Sequence, residues 1–515
     1  MKKRIVYIVS YFLLLLTLFV CQKPFFMLYN DAAEKGALFS DFFRVMGNGI
    51  SLDATTAGYL TALPFLMVLI SIWVKKFPLR KILLPYYIIA SLLVAVVFVV
   101  DMGLYPFWGF KLDASIFLYL DSPKEAMASV SFGFILLRVV AMLMLTTFYV
   151  WLMCKVTPHQ LEVTAKRIGG TLGMLFLGGI LFIIIRGGVT ESTSNVGQVY
   201  FSNNQFLNHS AVNPCFSLLS SMGKSKDFAS EFNFFEEEKR AKLVEGLYPT
   251  SDGDSLKQVL TTNRPNVLLI LMEGFGGAFI EPLGGLPDVA PNLNRLSEEG
   301  IFFTHCYANS FRTDRGTVCA LSGYLGLPTV SVMKIPTKSR TLPAISEELV
   351  KAGYQTDFLY GGDINFTNMK SYLLSKGYQH LTADTDFSLA ERNSNVWGVN
   401  DDITSEWLLN HLKQRSDKET PWFTTYLTLS SHEPFDVPYS RLEEKIPNAF
   451  AYTDECLGKL IEGLKQTPLW KDLLIVCIPD HGFCYPQGTT DRGGEFSHIP
   501  MLWLGGAVKN PMKVD

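Results

Sequence analysis

Five long apolar segments in the first 187 residues constrain this chain more than any other feature of its sequence. Each approaches the roughly 20 apolar residues that a helix needs to cross the hydrocarbon core of a bilayer. The chain as a whole is only 18% charged, against about 25% in an average soluble protein. The sequence therefore excludes a wholly soluble protein and predicts a transmembrane domain of five helices at residues 1–187. The predicted spans are Ile5–Val20, Ala57–Val74, Ile82–Val100, Val130–Met153 and Gly170–Ile185.

Basic residues are concentrated at the N-terminus and in the loops that follow the second and fourth spans. They are Lys2, Lys3, Arg4, Lys75, Lys76, Arg80, Lys81, Lys155, Lys166 and Arg167. The other two loops are mildly acidic, and we assign Asp31, Glu34, Asp41 and Asp53 to the first of them. Because basic loops stay on the cytoplasmic side, we expect a cytoplasmic N-terminus in the cell membrane and an extracytoplasmic chain after residue 187. Arg138 lies inside the fourth span, where either snorkelling to the headgroups or a functional role would explain it.

The remaining chain divides into a polar connector at 188–262, with an amphipathic helix around Glu231–Leu247, and a globular domain at 263–515. In the globular part, buried strands alternate with amphipathic helices. This alternation predicts an α/β domain with a mostly parallel sheet. The predicted strands are Val267–Met272, Ile301–Tyr307, Thr356–Tyr360, Trp422–Leu429 and Leu473–Ile478, and the predicted helices are Pro291–Glu299, Leu342–Ala352, Asp402–Gln414 and Phe450–Leu464.

Carboxylate and imidazole side chains follow three of these strands. Glu273 comes directly after the first strand, His432 follows the fourth, and Asp480 and His481 follow the last. In an open α/β sheet the ligand site lies beyond the carboxyl ends of the strands, so these groups should meet at one edge. Oxygen and imidazole ligands together suit Zn²⁺ or Mn²⁺. We therefore predict a metal site, with ordinary turn chemistry as the alternative for any one strand end.

A candidate nucleophile follows the strand at 301–307. Arg312, Thr313 and Arg315 precede a predicted helical stretch, Val318–Ser322. A hydroxyl at a helix N-terminus lies among free backbone N–H groups that can hold an anion, although Thr313 or Thr317 could also serve as a simple N-cap. The two arginines favour an anionic substrate. The net charge of −3 gives no reason to expect a nucleic-acid partner.

Together these residues resemble a known family. The chain is similar to the lipoteichoic acid synthase group, membrane proteins with five spans and an extracytoplasmic sulfatase-like domain of the alkaline phosphatase superfamily. The motifs that carry the resemblance are Asn266–Glu273, Ala290–Asn294, Arg312–Gly316, Trp397–Asp401, Ser431-His432, Pro479–Gly482 and His498–Pro500.

The resemblance implies a metal-dependent transferase. It makes Glu273, Thr313, Asp480 and His481 the ligands of one divalent ion, Mn²⁺ in this group, with Zn²⁺ or Mg²⁺ as alternatives, and makes Thr313 the nucleophile as well. It also implies that a phosphoglycerol-type headgroup passes from a membrane phospholipid, through a phospho-threonine, to a hydroxyl on a surface glycan, lipid or polymer. The alternatives are a phosphoethanolamine transferase, a phosphodiesterase or sulfatase-family hydrolase that uses water, and a domain that only binds an anionic polymer. Sulfatases proper are disfavoured, because the Cys/Ser-x-Pro-x-Arg motif of their nucleophile is not present at this position.

The resemblance also assigns a substrate pocket, and this chain departs from it. His432 and His498 correspond to histidines that contact the substrate phosphate or assist the leaving group, or that hold a second metal. In the pocket itself, a histidine, a tryptophan and an arginine of the family are replaced by Gly361, Thr367 and Met369, whereas Asp363 is retained and Lys370 lies beside the lost arginine. We therefore expect an altered pocket, to which Arg312 and Arg315 add positive charge. The family's domain continues beyond the strand at 501–504, so we expect either a truncated sequence or a member without the C-terminal lobe.

Overall fold

The computed structural model describes residues 1–117, 132–164, 166–222, 233–247, 257–415, 420–486 and 493–515. The chain forms two compact units, Met1–Ser225 with Asn365–Leu374, and Lys226–Ile364 with Ser375–Asp515. The predicted domain boundary at 187 lies next to the end of the last apolar helix, and the one at 262 lies shortly before the first strand of the large sheet. Both stay predictions of domain organisation.

Five helices of the N-terminal unit, within the described ranges, are long and apolar enough to cross a membrane. This confirms the five predicted apolar helices, although the predicted start of the fourth at Val130 lies outside the described residues. The helices are α1 (Lys2–Tyr29), α2 (Phe39–Ile70), α3 (Leu79–Trp108), α4 (Phe132–Val156) and α5 (Arg167–Arg186). Two short strands, β1 (Lys76–Phe77) and β2 (Leu161–Glu162), pair antiparallel between them.

Helix α2 begins far earlier than the apolar pattern indicates, so the assignment of Asp41 and Asp53 to a loop was wrong. Asp41 caps the start of α2, since its carboxylate accepts a hydrogen bond from the Leu38 backbone N–H at 2.9 Å. Asp53 is fully buried and pairs with Lys23 of α1 at 2.7 Å. It also accepts a hydrogen bond from Asn213 Nδ2 at 2.9 Å. These polar partners let α2 continue through a stretch that hydropathy alone does not mark as helical.

Two other charged groups of this unit have partners as well. Lys111 pairs with Asp101 of α3, and both side chains are buried. Arg138 of α4 donates a hydrogen bond to the hydroxyl of Tyr29. Its guanidinium also lies 3.4 Å from the ring centroid of Phe134. Arg138 therefore contacts one aromatic residue of α1 and one of its own helix.

The chain after α5 stays part of the N-terminal unit. It forms a 3₁₀ turn at Val196–Val199, α6 (Gln205–Ala211) and α7 (Pro214–Met222). The segment Asn365–Leu374 belongs to the same unit. Asn195 Nδ2 donates to the Asn365 carbonyl at 2.9 Å, and the Gly197 N–H donates to Asn368 Oδ1 at 3.2 Å. Gln205 Nε2 donates to the Leu374 carbonyl at 3.3 Å. A short stretch from the middle of the predicted catalytic domain is therefore held by residues that precede that domain.

The second unit is built on one eight-stranded sheet within the described residues, in the order β10-β4-β9-β8-β3-β7-β5-β6. Only β9 runs against its neighbours, β4 and β8, so the predicted mostly parallel α/β sheet is confirmed. The strands are β3 (Asn266–Met272), β4 (Ile301–Tyr307), β5 (Gln355–Tyr360), β6 (His380–Thr382), β7 (Trp422–Leu427), β8 (Leu473–Pro479), β9 (His498–Leu504) and β10 (Met512–Val514).

The two longest helices of this unit pack apolar residues onto the sheet. The core joins strand β3 to the two longest helices through Ile270, Leu408 and Leu460. The helices are α8 (Glu237–Leu247), α9 (Pro291–Leu296), α10 (Thr313–Ser322), α11 (Pro336–Ser339), α12 (Ile345–Lys351), α14 (Leu389–Arg392), α15 (Asp401–Lys413), α16 (Lys445–Lys465) and α17 (Gly494–Ser497), and α13 (Met369–Ser375) begins in the segment held by the N-terminal unit. The predicted start of α8 at Glu231 lies outside the described residues.

Several element boundaries differ from the prediction by a few residues, and two of these differences have a clear physical reason. Strand β7 ends at Leu427 rather than Leu429, because the Leu429 N–H turns away to donate to Asp401 Oδ1 at 2.8 Å. Helix α16 starts at Lys445 rather than Phe450. Pro447 does not prevent this, since the first turn of a helix has no use for the N–H that proline lacks.

Candidate metal centre and nucleophile

The site starts at the carboxyl end of β3, the strand that lies between β8 and β7. Glu273 follows this strand, and both of its backbone groups are held by the turn after β7. Its N–H donates to Thr428 Oγ1 at 2.9 Å, and its carbonyl accepts a hydrogen bond from Ser431 Oγ at 2.7 Å. The carboxylate of Glu273 is thereby fixed at the edge of the sheet and buried.

Three potential metal ligands converge at this edge. One ligand atom from each of Glu273, Asp480 and His481 lies within 4.8 Å of the others. His481 Nε2 is 3.4 Å from Glu273 Oε1 and 3.5 Å from Asp480 Oδ2. The other ring nitrogen, Nδ1, donates to the Gly482 carbonyl at 2.7 Å, which leaves Nε2 as the ligand atom of a neutral imidazole. The strand ends thus bring together three of the four predicted ligands.

Asp480 shows how well these residues fit a cation. Its Oδ1 accepts hydrogen bonds from the N–H groups of Gly274 at 3.0 Å and His481 at 2.9 Å. Its Oδ2 is buried and accepts no hydrogen bond from the described residues. A buried carboxylate oxygen without a partner is costly, and a divalent cation between Asp480, Glu273 and His481 would satisfy it.

Thr313 joins the cluster from the start of helix α10. Its hydroxyl donates a hydrogen bond to Glu273 Oε2 at 2.9 Å. The helix begins at Thr313, with Arg312 as its N-cap residue in an extended conformation. The hydroxyl therefore lies both beside a ligand carboxylate and among the free N–H groups of the first helical turn. The fourth predicted ligand is thus in direct contact with the first.

The three ionisable groups shift one another's pKa. Burial would raise the pKa of Glu273, but the hydrogen bond from His481 and the charges of His481 and His432 outweigh it and hold that pKa below its usual value. Burial, and then repulsion from Glu273, raise the pKa of Asp480 to about 6. Burial would lower the pKa of His481, yet the two carboxylates raise it to about 10. In the cation-free protein the raised pKa of His481 favours its protonated form, whose charge offsets part of the negative charge of Glu273 and Asp480.

The other predicted site residues have varied surroundings. His432 Nδ1 donates to the Glu433 carbonyl at 2.9 Å, and His498 Nε2 donates to the Thr304 carbonyl at 2.7 Å. Arg312 is exposed, whereas Arg315 donates to the Pro328 carbonyl at 3.1 Å. The substrate roles of all four stay predictions.

The two predicted pocket residues fall in different units. Asp363 lies just beyond the end of β5 in the second unit. Burial, and then the charges of Glu273 and Asp363, raise the pKa of Tyr360. Lys370 lies in the segment Asn365–Leu374 of the N-terminal unit. Their roles in substrate binding also stay predictions.

Comparison with known proteins identifies this part of the chain. A sequence model of the sulfatase family matches residues 265–513. These residues are similar to the sulfatase family. The predicted resemblance to sulfatase-type enzymes is confirmed for these residues.

Proteins named phosphoglycerol transferases are among those similar to this chain. Phosphoglycerol transferase I of Salmonella arizonae is 25% identical over 218 residues, which cover 38% of this chain. The chain spans 28% of the length of this relative and of its Escherichia coli counterpart, which is 26% identical over 216 residues.

Solved structures are also similar to part of this chain. An alkaline phosphatase superfamily protein from Vibrio parahaemolyticus is 28% identical, with a TM-score of 0.49 over 55% of this chain and 71% of that protein. A lipoteichoic acid synthase from Listeria monocytogenes is 17% identical, with a TM-score of 0.47 over 53% of this chain and 73% of that protein.

Sequence reasoning missed the residues of the sulfatase domain that position the cluster. Thr428 and Ser431 hold the backbone of Glu273, and Gly316 lets helix α10 pack directly on Asp480. Ser431 and Gly316 stand inside the motifs quoted above, but small polar residues and glycines give no signal of their role until the strand ends are placed side by side.

The close contact between Gly316 and Asp480 can be tested by substitution. A Cβ at this position would lie 2.0 Å from the Asp480 carbonyl oxygen, so Gly316→Ala must push helix α10 away from the cluster. We expect a loss of about 1–3 kcal/mol in the free energy of unfolding and weaker cation binding, measured by thermal unfolding with and without added Mn²⁺. Gly494→Ala is the matched control, since a Cβ there meets nothing within 4 Å. Equal behaviour of the two variants would contradict the close contact.

Cation binding at this site is expected to depend on pH. Because the pKa of His481 is raised to about 10 and a ligand imidazole must be neutral, cation binding should displace one proton at pH 7. Apparent affinity should therefore rise about tenfold per pH unit, and more steeply below pH 6, where Asp480 is also protonated. Calorimetric Mn²⁺ titration of chelator-treated protein in buffers of different ionisation enthalpy measures the released proton. Affinity that does not change with pH would refute this assignment.

Proposed function

We propose that this protein is a membrane-bound, metal-dependent transferase that moves a phosphoglycerol-type headgroup from a phospholipid to an acceptor hydroxyl. The observation that carries the proposal is the contact of Thr313 with Glu273 inside a cluster of cation ligands. The names of the phosphoglycerol transferase relatives support the choice of headgroup. The five apolar helices support a donor that resides in the bilayer.

The reaction takes place in two displacements at phosphorus. Thr313 Oγ1 attacks the phosphodiester of the lipid, its proton moves toward Glu273 Oε2, and the bond to the diacylglycerol oxygen breaks. The leaving oxygen takes up a proton to release diacylglycerol, with His432 or His498 as the proposed donor. An acceptor hydroxyl on a surface glycan, lipid or polymer then attacks the phospho-threonine, and its proton passes to the histidine that protonated the leaving oxygen. The bond from phosphorus to Thr313 Oγ1 breaks, and Thr313 regains its proton from Glu273. Splitting one difficult transfer into two steps is the benefit of a covalent intermediate.

A cation held by Glu273, Thr313, Asp480 and His481 would supply Lewis acidity for this chemistry, since it lowers the pKa of a hydroxyl and neutralises charge on phosphoryl oxygens. The donor set combines two carboxylates and a hydroxyl with one imidazole. We propose Mn²⁺ for this mainly oxygen set, with Zn²⁺ or Mg²⁺ as the alternatives in a metal panel.

The protein is proposed to lie in the cell membrane with its N-terminus in the cytoplasm and its sulfatase domain outside. The basic residues of the N-terminus and of the loops after α2 and α4 support this orientation. On that side of the bilayer, we propose that Arg312, Arg315, Asp363 and Lys370 contribute to binding of the anionic headgroup or of the acceptor.

The test uses the full-length protein in vesicles with headgroup-labelled donors. We expect transfer from phosphatidylglycerol, stimulated by Mn²⁺ and diverted to glycerol or a glycan when either is added as acceptor. Product that forms only from phosphatidylethanolamine would replace the proposal with a phosphoethanolamine transferase. Release of the headgroup to water alone, whatever acceptor is added, would make the protein a hydrolase.

A further inference from the structure

The segment Trp397–Asp401 joins the ends of two strands next to the site. The Val399 N–H donates to the Gly361 carbonyl just beyond β5, at 2.9 Å. A Cβ on Gly398 would lie 2.2 Å from the same carbonyl oxygen, so the two chains touch through their backbones. This contact fixes one end of the segment.

Asp401 fixes the other end to the turn after β7. Its buried carboxylate accepts hydrogen bonds from the N–H groups of Leu429 at 2.8 Å and Ser430 at 3.1 Å, and from Thr453 Oγ1 at 2.8 Å. The Asp401 N–H donates in return to Ser430 Oγ at 2.9 Å. The same turn carries His432, so the segment and the histidine are held by one rigid network.

Trp397 contacts His432 directly. The two rings lie 4.5 Å apart between centroids at an interplanar angle of 57°. Trp397 Nε1 donates to the Glu433 carbonyl at 2.5 Å, and His432 Nδ1 donates to the same oxygen at 2.9 Å. A carbonyl accepts hydrogen bonds and cannot donate them, so Nδ1 carries the proton of the neutral imidazole and Nε2 is its proton-accepting atom.

We propose that Trp397 is a positioning residue for His432, which it holds in one orientation and in the Nδ1-protonated tautomer through their shared carbonyl acceptor. The part that His432 plays in the reaction rests on the proposed function. The contacts that hold its ring do not depend on that function. His432 directly follows Ser431, whose hydroxyl donates to the Glu273 carbonyl at 2.7 Å. The indole therefore determines which nitrogen of His432 is able to accept a proton.

The test compares Trp397→Phe with Trp407→Phe in the full-length protein. Phenylalanine at 397 keeps an aromatic ring beside His432 but loses the N–H that fixes the Glu433 carbonyl. Trp407 is the matched control, because its ring stacks on a different histidine, His411 of the same helix α15, with 4.8 Å between the centroids. The histidine side chains are labelled with ¹⁵N, and the His432 signal is assigned by its loss in His432→Gln.

At a pH where the imidazole is neutral, we expect Trp397→Phe to move His432 from the Nδ1-protonated form to a mixture of tautomers, with Mn²⁺ affinity unchanged. We also expect kcat for headgroup transfer to fall about tenfold to a hundredfold with little change in KM. An unchanged tautomer in Trp397→Phe, or the same change in Trp407→Phe, would overturn the inference. If the wild-type protein has no transferase activity but Trp397→Phe still changes the tautomer of His432, the proposed function is contradicted and the inference stands.

Discussion

Replacing Thr313 with valine is expected to abolish headgroup transfer, with kcat at least about 10³-fold lower than in the wild-type protein. Valine has nearly the shape of threonine but lacks the hydroxyl that donates to Glu273 Oε2 at 2.9 Å. The remaining contacts of Glu273, with His481 and with Thr428, do not involve this hydroxyl. The fold should therefore survive, and the three remaining ligands should bind Mn²⁺ with reduced affinity.

Thr317→Val provides a control on the same helix. Thr317 is one turn further along α10 and fully buried, and its hydroxyl has no hydrogen-bond partner among the described residues. Its replacement should leave transfer within about twofold of wild type, because only a hydroxyl without a partner is removed. Thr313→Ser, which keeps a nucleophilic oxygen, should retain measurable transfer.

Mass spectrometry distinguishes a nucleophile from a residue that only binds the cation. With labelled phosphatidylglycerol and no acceptor, the wild-type protein should accumulate a phosphoglycerol adduct on the peptide that contains Thr313. Thr313→Val should show none. An adduct that persists in that variant, or transfer at an undiminished rate, would exclude the phospho-threonine route.

The largest expected effect on stability comes from the buried ion pair of the N-terminal unit. Lys23 and Asp53 have side chains only 4% and 0% exposed. Lys23→Met would leave the Asp53 carboxylate buried without its counter-ion, which costs about 3–5 kcal/mol. We expect a large drop in the unfolding temperature of the full-length protein in detergent. An unchanged unfolding temperature would show that the pair contributes little.

Two further variants show whether the effect arises from an unpaired charge. In Lys23→Met/Asp53→Leu both charges are absent, and much of the stability should return, because buried pairs are often replaced by apolar residues at little cost. Lys242→Met breaks a pair whose side chains are 73% and 85% exposed, so its effect should stay below about 1 kcal/mol. A double variant as unstable as the single one would point to lost packing instead.

The sequence was sufficient to predict the sulfatase domain and the convergence of its strand ends, because both depend on strong local patterns. Continuous apolar runs marked β3 and β8 as buried strands, and a parallel sheet then brings Glu273, Asp480 and His481 to one edge. Hydropathy also located all five long helices.

What the sequence did not reveal depends on contacts between residues far apart in the chain. The early start of α2 requires Lys23 and Asn213 as partners for Asp53. These partners are distant in sequence, so no local sequence pattern predicts the pairing. Strands β6 and β10 are three residues long, too short for alternation to stand out. The support of Glu273 by Thr428 and Ser431 likewise appears only once β3 and β7 are neighbours.

The course of the chain has a practical consequence for anyone who expresses the sulfatase domain alone. The segment Asn365–Leu374 groups with the N-terminal unit, so the chain leaves the second unit after Ile364 and returns to it at Ser375. A fragment that starts at residue 263 would keep this segment but lack Asn195, Gly197 and Gln205, whose hydrogen bonds hold it. A soluble fragment should therefore carry a replacement for these partners, such as residues 195–211 fused ahead of the domain.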